Sequence, residues 1–243
     1  MGSTHDKCRV VLAGASGYIG RHVAMTLVRR GYEVVAVLRP GGEAESSQRS
    51  LDPALSGCDV CVAPVTNADA LADALANLRF DAVISCLASR DGAPDDAWAV
   101  DYAANRNLLA AAQHGGASRF VLLSAICVQR PKLAFQHAKL AFERELKASN
   151  IDHVIVRPAA FFKSLAGQPV RIRHVSPRVF DIAVGVLAPL SRVLPGLAAK
   201  AEFARIGRYY ATESMLLWNE QAQTYDADAT PSYGEQTLSD FYA

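Results

Sequence analysis

Short runs of apolar, β-branched residues alternate along the chain with longer stretches in which apolar residues recur at helical spacing. Arg9 to Ala13 (RVVLA), Glu33 to Leu38 (EVVAVL), Asp59 to Val62, Asp81 to Cys86 (DAVISC) and Arg119 to Ser124 (RFVLLS) each read as a buried strand, apolar on both faces. Between them, Tyr18 to Arg30, Ala68 to Leu78, Ala97 to His114 and Lys132 to Ser149 carry the helical period. A sixth strand is expected at His153 to Val156. This repetition predicts an α/β fold, a doubly wound parallel sheet with right-handed crossovers and helices on both faces.

The pattern changes at Arg157-Pro158, after which no strand alternates with helix. The chain then reads AAFFKSLAGQ, a basic stretch PVRIRHVSPR, an apolar stretch and a tail rich in Tyr, Asp and Thr. Residues 1–157 are expected to form the sheet domain. Residues 158–243 form a smaller, mainly helical lobe and tail over the strand ends, where ligands bind in such sheets. Val179 to Ala199 is apolar enough to suggest a membrane span, but Asp181, Arg192, Pro189 and Pro195 interrupt it. It reads instead as a soluble helix pair, so no transmembrane segment is expected, and contact with a membrane surface stays open.

Composition narrows the partners. The 25 basic and 24 acidic residues leave a net charge of +1, which supplies no field to gather nucleic acid. Met1 to Lys7 is polar and lacks the apolar core of a secretory signal. Five cysteines, an odd number, form no small-domain disulfide framework, and together these features point to the cytoplasm. Cys58 and Cys61 make a CxxC in CDVCVAPV, but no second ligand pair accompanies them. They read as small apolar thiols in a buried strand, and no metal site is expected.

The glycines of VVLAGASGYIG fall where the first strand should hand over to the first helix. Gly14, Gly17 and Gly20 suit a tight turn, close approach to a pyrophosphate and close packing of helix on strand. The whole turn, Gly14, Ala15, Ser16, Gly17, Tyr18, Ile19 and Gly20, is thus a candidate dinucleotide site in a Rossmann-type domain. Arg39 ends the second strand in AVLRP, where an NAD site would carry an acid. An arginine there suits a 2′-phosphate, so NADPH is the expected cofactor. Cys86, Leu87, Ala88 and Ser89 follow strand four and are expected beside the adenosine or pyrophosphate, and Ser124 near the nicotinamide.

These residues resemble the short-chain dehydrogenase/reductase superfamily in its extended or atypical branch. In that family a serine near the end of strand five and a Tyr-x-x-x-Lys on the next helix carry out proton transfer and hold the ribose. The matching stretch here is FQHAK, with Lys139 present and Phe135 in the tyrosine's place. Carbonyl reduction builds charge on one oxygen and needs an acid, whereas a conjugated C=C bond spreads the charge over its π system.

Longer strings, SAICVQRP, FQHAKLAFE, VRPAAFFKSLAGQ, KAEFARIGRYYATESML and YDADATPSYGEQTLSDFY, resemble the divinyl chlorophyllide 8-vinyl reductases of chlorophyll and bacteriochlorophyll synthesis. That resemblance implies NADPH-dependent reduction of the 8-vinyl group of a tetrapyrrole substrate, a divinyl chlorophyllide, to ethyl, and the bare N-terminus suggests a bacterial rather than a plastid enzyme. It assigns Lys139 to the ribose and nicotinamide, with Lys139, Ser124 and Phe135 as the catalytic set. Cys127 is placed beside the substrate. Phe161 and Phe162 could stack on the macrocycle or belong to the core. Arg171, Arg173, His174 and Arg178 could hold a propionate or form a solvated basic face. Tyr209, Tyr210, Cys127 and solvent are the candidate proton donors.

Two rivals stay open. One is a non-catalytic NADPH-sensing regulator of the same superfamily, and the other a reductase of a phenolic or quinone-type substrate. In the reductases that this chain resembles, a substantial block separates FFKSLAGQ from the counterpart of PVRIRHVSPR, whereas here Gln168 runs straight into Pro169. Either the block is lost, leaving an open pigment pocket, or the sequence joins two ordered pieces across unseen residues. The intact strings on both sides favour the second.

Overall fold

The computed structural model describes residues 7–41, 52–159, 176–191, 194 and 197–233. Among these, six parallel strands form one sheet: β1 (Arg9–Ala13), β2 (Glu33–Leu38), β3 (Asp59–Val62), β4 (Ala82–Ser85), β5 (Arg119–Leu123) and β6 (Asp152–Val156). Their order is β3-β2-β1-β4-β5-β6. The order reverses between β1 and β4, so chain leaving the tops of these two strands departs in opposite directions and opens a crevice.

The sequence divides the two sheet faces by alternation along each strand. Leu12 of β1 and Val34, Ala36 and Leu38 of β2 pack with Ala24 and Leu27 of α1 (Tyr18–Arg29). Val11, Val35, Val37, Val83 and Phe120 point the other way. They meet Leu71 of α2 (Ala68–Leu75), Leu108 of α3 (Asn105–Gly115), and Phe142 and Leu146 of α4 (Ala134–Ala148). Helices therefore lie on both faces, three of them on one.

The outer strand β3 corrects the expectation of burial on both faces, and β6 at the other edge is open in the same way. Val60, Val62, Val154 and Val156, on the edge strands β3 and β6, are 38–47% exposed. Residue type alone does not tell a central strand from an edge strand, because burial depends on what lies across it. The CxxC thus sits on a half-exposed edge and not in a buried strand. The Cys61 thiol donates to the Ala74 carbonyl at 3.7 Å, and all five cysteines are free. Element ends also move: β4 is one residue shorter at each end than expected, β5 stops at Leu123 and α2 at Leu75.

The stretch read as one regular helix from Ala97 to His114 has two parts and is preceded by a short turn. A helical turn, Pro94–Asp96, leads into a π-helical segment, Ala97–Ala104, which runs on into α3. In the C-terminal third, α5 (Pro177–Leu190) packs on α6 (Ala198–Thr212). Phe180 lies so close to Gly207 that a Cβ there would stand 2.6 Å from its ring, and Arg208 pairs with Asp181. No described helix is long and apolar enough to cross a membrane. A two-stranded antiparallel ribbon, β7 (Leu217–Asn219) and β8 (Thr224–Asp226), was not foreseen, because three residues are too few to show a period.

Phe142 is fully buried and meets Phe120 with ring centroids 5.7 Å apart, joining α4 to β5 at the centre of the core. Phe142→Ala should lower unfolding free energy by about 3–5 kcal/mol, read as a lower urea midpoint with unchanged slope. An unchanged midpoint would show that this contact is not part of the core.

Candidate active site

The glycine turn stands at the top of β1, inside the crevice. Gly14 has φ +79°, a conformation that L side chains rarely adopt. A Cβ on it would also lie 2.7 Å from the Cys86 carbonyl carbon, so the turn and the loop after β4 are pressed together. Gly20 is closer still to its neighbours, since a Cβ there would come 2.0 Å from the Gly14 carbonyl oxygen. Those two glycines are required by the protein's own packing. Gly17 is different: it is exposed, and it is the N-cap of α1 with no side-chain cap bond and no acidic residue in the first turn. No Gly17 side chain competes with an anion at the start of α1, the arrangement that a pyrophosphate needs.

Around this turn Ala15 is fully buried, Ser16 and Ile19 are partly buried, and Tyr18 is exposed. Arg39 follows β2, exposed, and its guanidinium has no ion pair or hydrogen bond among the described residues. On the other flank come Cys86 and Leu87, partly buried, and Ala88, exposed. Burial pushes the Cys86 thiol up to about 11, so it stays protonated and unreactive at neutral pH.

Lys139 lies on α4, 8% exposed, with its ammonium 2.8 Å from Oδ1 of Asp101 in the π-helical segment. Phe135 is one turn earlier on the same helix and belongs to a cluster with Cys127, Leu133, Ala125, Tyr209, Ile206 and Met215. Ser124 directly follows β5. It is 5% exposed and its hydroxyl donates to Oε1 of Glu143 at 2.6 Å. Arg157 grips the same buried carboxylate through two nitrogens. The serine thereby braces β5, α4 and the end of β6.

Tyr209 is buried and donates to the Cys127 carbonyl at 3.2 Å. Burial, then the neighbouring Cys127, pushes its phenol up to about 12. Tyr210 is half exposed as a residue, yet burial of its hydroxyl against Cys127 likewise pushes it up to about 12. Burial also raises the Cys127 thiol. All three groups hold protons at neutral pH, and none is activated as an acid.

The strings that carry the resemblance interlock here. Gln129, after β5, donates to the Leu216 carbonyl at 2.6 Å and accepts from the Trp218 N–H at 2.8 Å. The Arg130 guanidinium lies 4.0 Å from the centroid of the Trp218 ring. Glu213, at the end of α6, accepts from Lys132 and from the Tyr225 hydroxyl. Burial alone would raise its carboxyl, but those bonds and the charges of Lys132 and Arg130 hold it below the usual range. A charged cleft of about 410 Å³ beside Arg9, Glu33 and Asp81 opens at the opposite end of the sheet, remote from this chemistry. Among the described residues no group of three His, Cys, Asp or Glu side chains could hold a metal. Phe161, Phe162, Arg171, Arg173, His174 and the Gln168–Pro169 seam lie outside the described residues.

The NAD(P)H-binding family model matches residues 14–180, from the first glycine of the turn onward. Divinyl chlorophyllide a 8-vinyl-reductase of Arabidopsis thaliana is 36% identical over 96% of this chain and 76% of its own length. The enzyme of that name from Cucumis sativus is 36% identical over 96% and 75%. The chain belongs to the divinyl chlorophyllide a 8-vinyl-reductase family. A solved structure of Bordetella bronchiseptica WbmG in complex with NAD has TM-score 0.55 and 20% identity. It is covered over 62% of its length by 78% of this chain, and it shares the fold.

Family membership makes the chain a binder of a nicotinamide cofactor, and the uncapped helix, the two packed glycines and the loop after β4 fit such a group. Sequence reading of this family member missed Asp101. The signal was there: Asp101 falls on the buried stripe with Ala97, Ala104 and Leu108, where a carboxylate demands a partner. Glu143, also buried, was missed for the same reason. The alignment with the Arabidopsis reductase runs to 315 positions, more than this chain's 243 residues, so part of that enzyme has no counterpart here.

Gly20→Ala should force the Gly14 carbonyl and α1 apart. The expected result is a stability loss of about 1–3 kcal/mol with NADPH affinity falling about tenfold or more, measured by thermal unfolding and fluorescence titration. Undiminished affinity would show that the turn does not hold the cofactor.

Proposed function

We propose that this chain is an NADPH-dependent reductase that converts the 8-vinyl group of a divinyl chlorophyllide to ethyl. One observation carries the reading. Family strings distant in sequence meet around Cys127 and Phe135, where Lys139 is kept and the tyrosine acid is replaced by a phenyl ring.

NADPH, when bound, supplies the hydride. The turn from Gly14 to Gly20 and the N-terminus of α1 receive its pyrophosphate, and Arg39 pairs with the 2′-phosphate. Lys139 holds the ribose, and the loop Cys86 to Ala88 borders the adenosine or pyrophosphate. Phe135 gives the macrocycle an apolar wall. Hydride on the terminal vinyl carbon sends negative charge into the conjugated ring, so no oxygen develops charge that an acid must meet. The single proton that completes the reduction goes to the ring-bound vinyl carbon, with Tyr210, Cys127 and water as its sources within this part of the fold.

Phe161 and Phe162 are assigned to the pigment, and Arg171, Arg173, His174 and Arg178 to its propionate. Residues 1–157 are the cofactor domain and 158–243 the substrate lobe. The surplus of the longer relatives belongs at the Gln168–Pro169 seam, in keeping with the alignment length. Five free thiols suit a reducing cytoplasm, and a flat apolar substrate is compatible with contact at a membrane surface.

The test is turnover of divinyl chlorophyllide by the purified protein with NADPH or NADH, followed by absorbance. NADPH should support conversion far better than NADH. Arg39→Ala should remove most of that preference, weakening NADPH by about tenfold or more, as expected for a lost charge-assisted bond of about 1.5–3 kcal/mol. Tight NADPH binding with no conversion would identify a sensing protein and overturn the reading.

A further inference from the structure

Lys139 has a partner that its expected role does not require. Its ammonium lies 2.8 Å from Asp101 Oδ1, and the two residues are 8% and 1% exposed. Beyond that ion pair, neither oxygen of the Asp101 carboxylate has a hydrogen-bond partner among the described residues. Burying a charge is costly unless it is matched, and here each group's match is the other.

The backbone that delivers Asp101 is specialised. Ala97–Ala104 is π-helical, a widened turn that shifts a side chain out of the regular helical row. Asn105 closes it, donating from Nδ2 to the carbonyls of Asp101 at 3.0 Å and Val100 at 3.3 Å. The Asn105 Oδ1 in turn accepts from the Ser85 hydroxyl at 2.5 Å. Ser85 is the last residue of β4, directly before the Cys86 and Leu87 backbone that crowds Gly14. A continuous set of bonds therefore runs from the edge of the cofactor turn to the Lys139 ammonium.

An unpaired lysine one helical turn from position 135 would favour the ionised form of any phenol placed there. With a carboxylate against the ammonium, position 135 faces a compact dipole. We propose that Asp101 is a positioning residue that fixes Lys139 for the cofactor and cancels its charge, so that the site has no means of activating an acid at position 135. On this account the pair and the phenyl ring are two halves of one adaptation. The ribose part rests on the reductase reading, but the electrostatic part does not.

The phenol introduced by Phe135→Tyr reports that field. Its ionisation is followed by ultraviolet difference titration without pigment or cofactor, each protein read against the matching one that keeps Phe135. Lys132, Cys127, Tyr209 and Tyr210 also face this region, and they stay constant in every comparison. In Phe135→Tyr the phenol should titrate at or above the ordinary value of about 10. Adding Asp101→Asn should lower it by about one unit or more, and adding Lys139→Met should raise it by about as much. Equal titration midpoints in all three backgrounds would overturn the proposal. If Asp101→Asn does not fold, Lys139→Met decides alone, and no rise there overturns it. Opposite shifts in a protein that reduces no pigment would support the pair while refuting the reductase reading.

Discussion

At Gly14 the chain turns through a conformation that side-chain-bearing residues avoid, with the Cys86 backbone too near to admit a Cβ. This closeness ties β1 to β4 at the point where the strand order reverses. It aims the uncapped start of α1 across the crevice, and Gly20 keeps that helix against the turn. From the β4 side, Ser85 reaches the π-helical segment and through it Asp101 and Lys139. The proposed phosphate end and the proposed reacting end of the site are thus set by one junction.

The reacting end is unusual for what it withholds. Position 135 offers no acid, Lys139 is matched by a buried carboxylate, and the nearby phenols of Tyr209 and Tyr210 are pushed up to about 12. Ser124, which the family resemblance would make a catalytic hydroxyl, is bonded to Glu143. Such a site is poorly suited to a substrate that puts charge on a single oxygen. It suits one that disperses charge over a conjugated ring, where holding the reactants in place contributes more than proton donation.

The parts legible in the sequence are those with a local physical demand. The glycine turn was legible because its backbone admits few other residues, and the central strands because both faces are apolar. Edge exposure at Val62 and Val156 was not, since it depends on what covers a strand. The π-helical segment reads as ordinary helix because the insertion of one residue barely disturbs a short apolar period. Asp101 was legible as a carboxylate in a buried stripe, but its partner lies on another helix. The clamp of Gln129, Arg130 and Lys132 on Glu213, Trp218 and Tyr225 joins residues more than eighty positions apart, and no spacing rule reveals it.

The proposed reaction delivers hydride from NADPH to a vinyl carbon without a tyrosine acid. Single-turnover reduction of divinyl chlorophyllide with NADPH deuterated at the transferable position tests it, with mass spectrometry of the product. The expected product carries one deuterium in the terminal carbon of the new ethyl group and one solvent-derived proton on the adjacent carbon. Product without cofactor-derived deuterium, or unchanged pigment in the presence of bound NADPH, would contradict it.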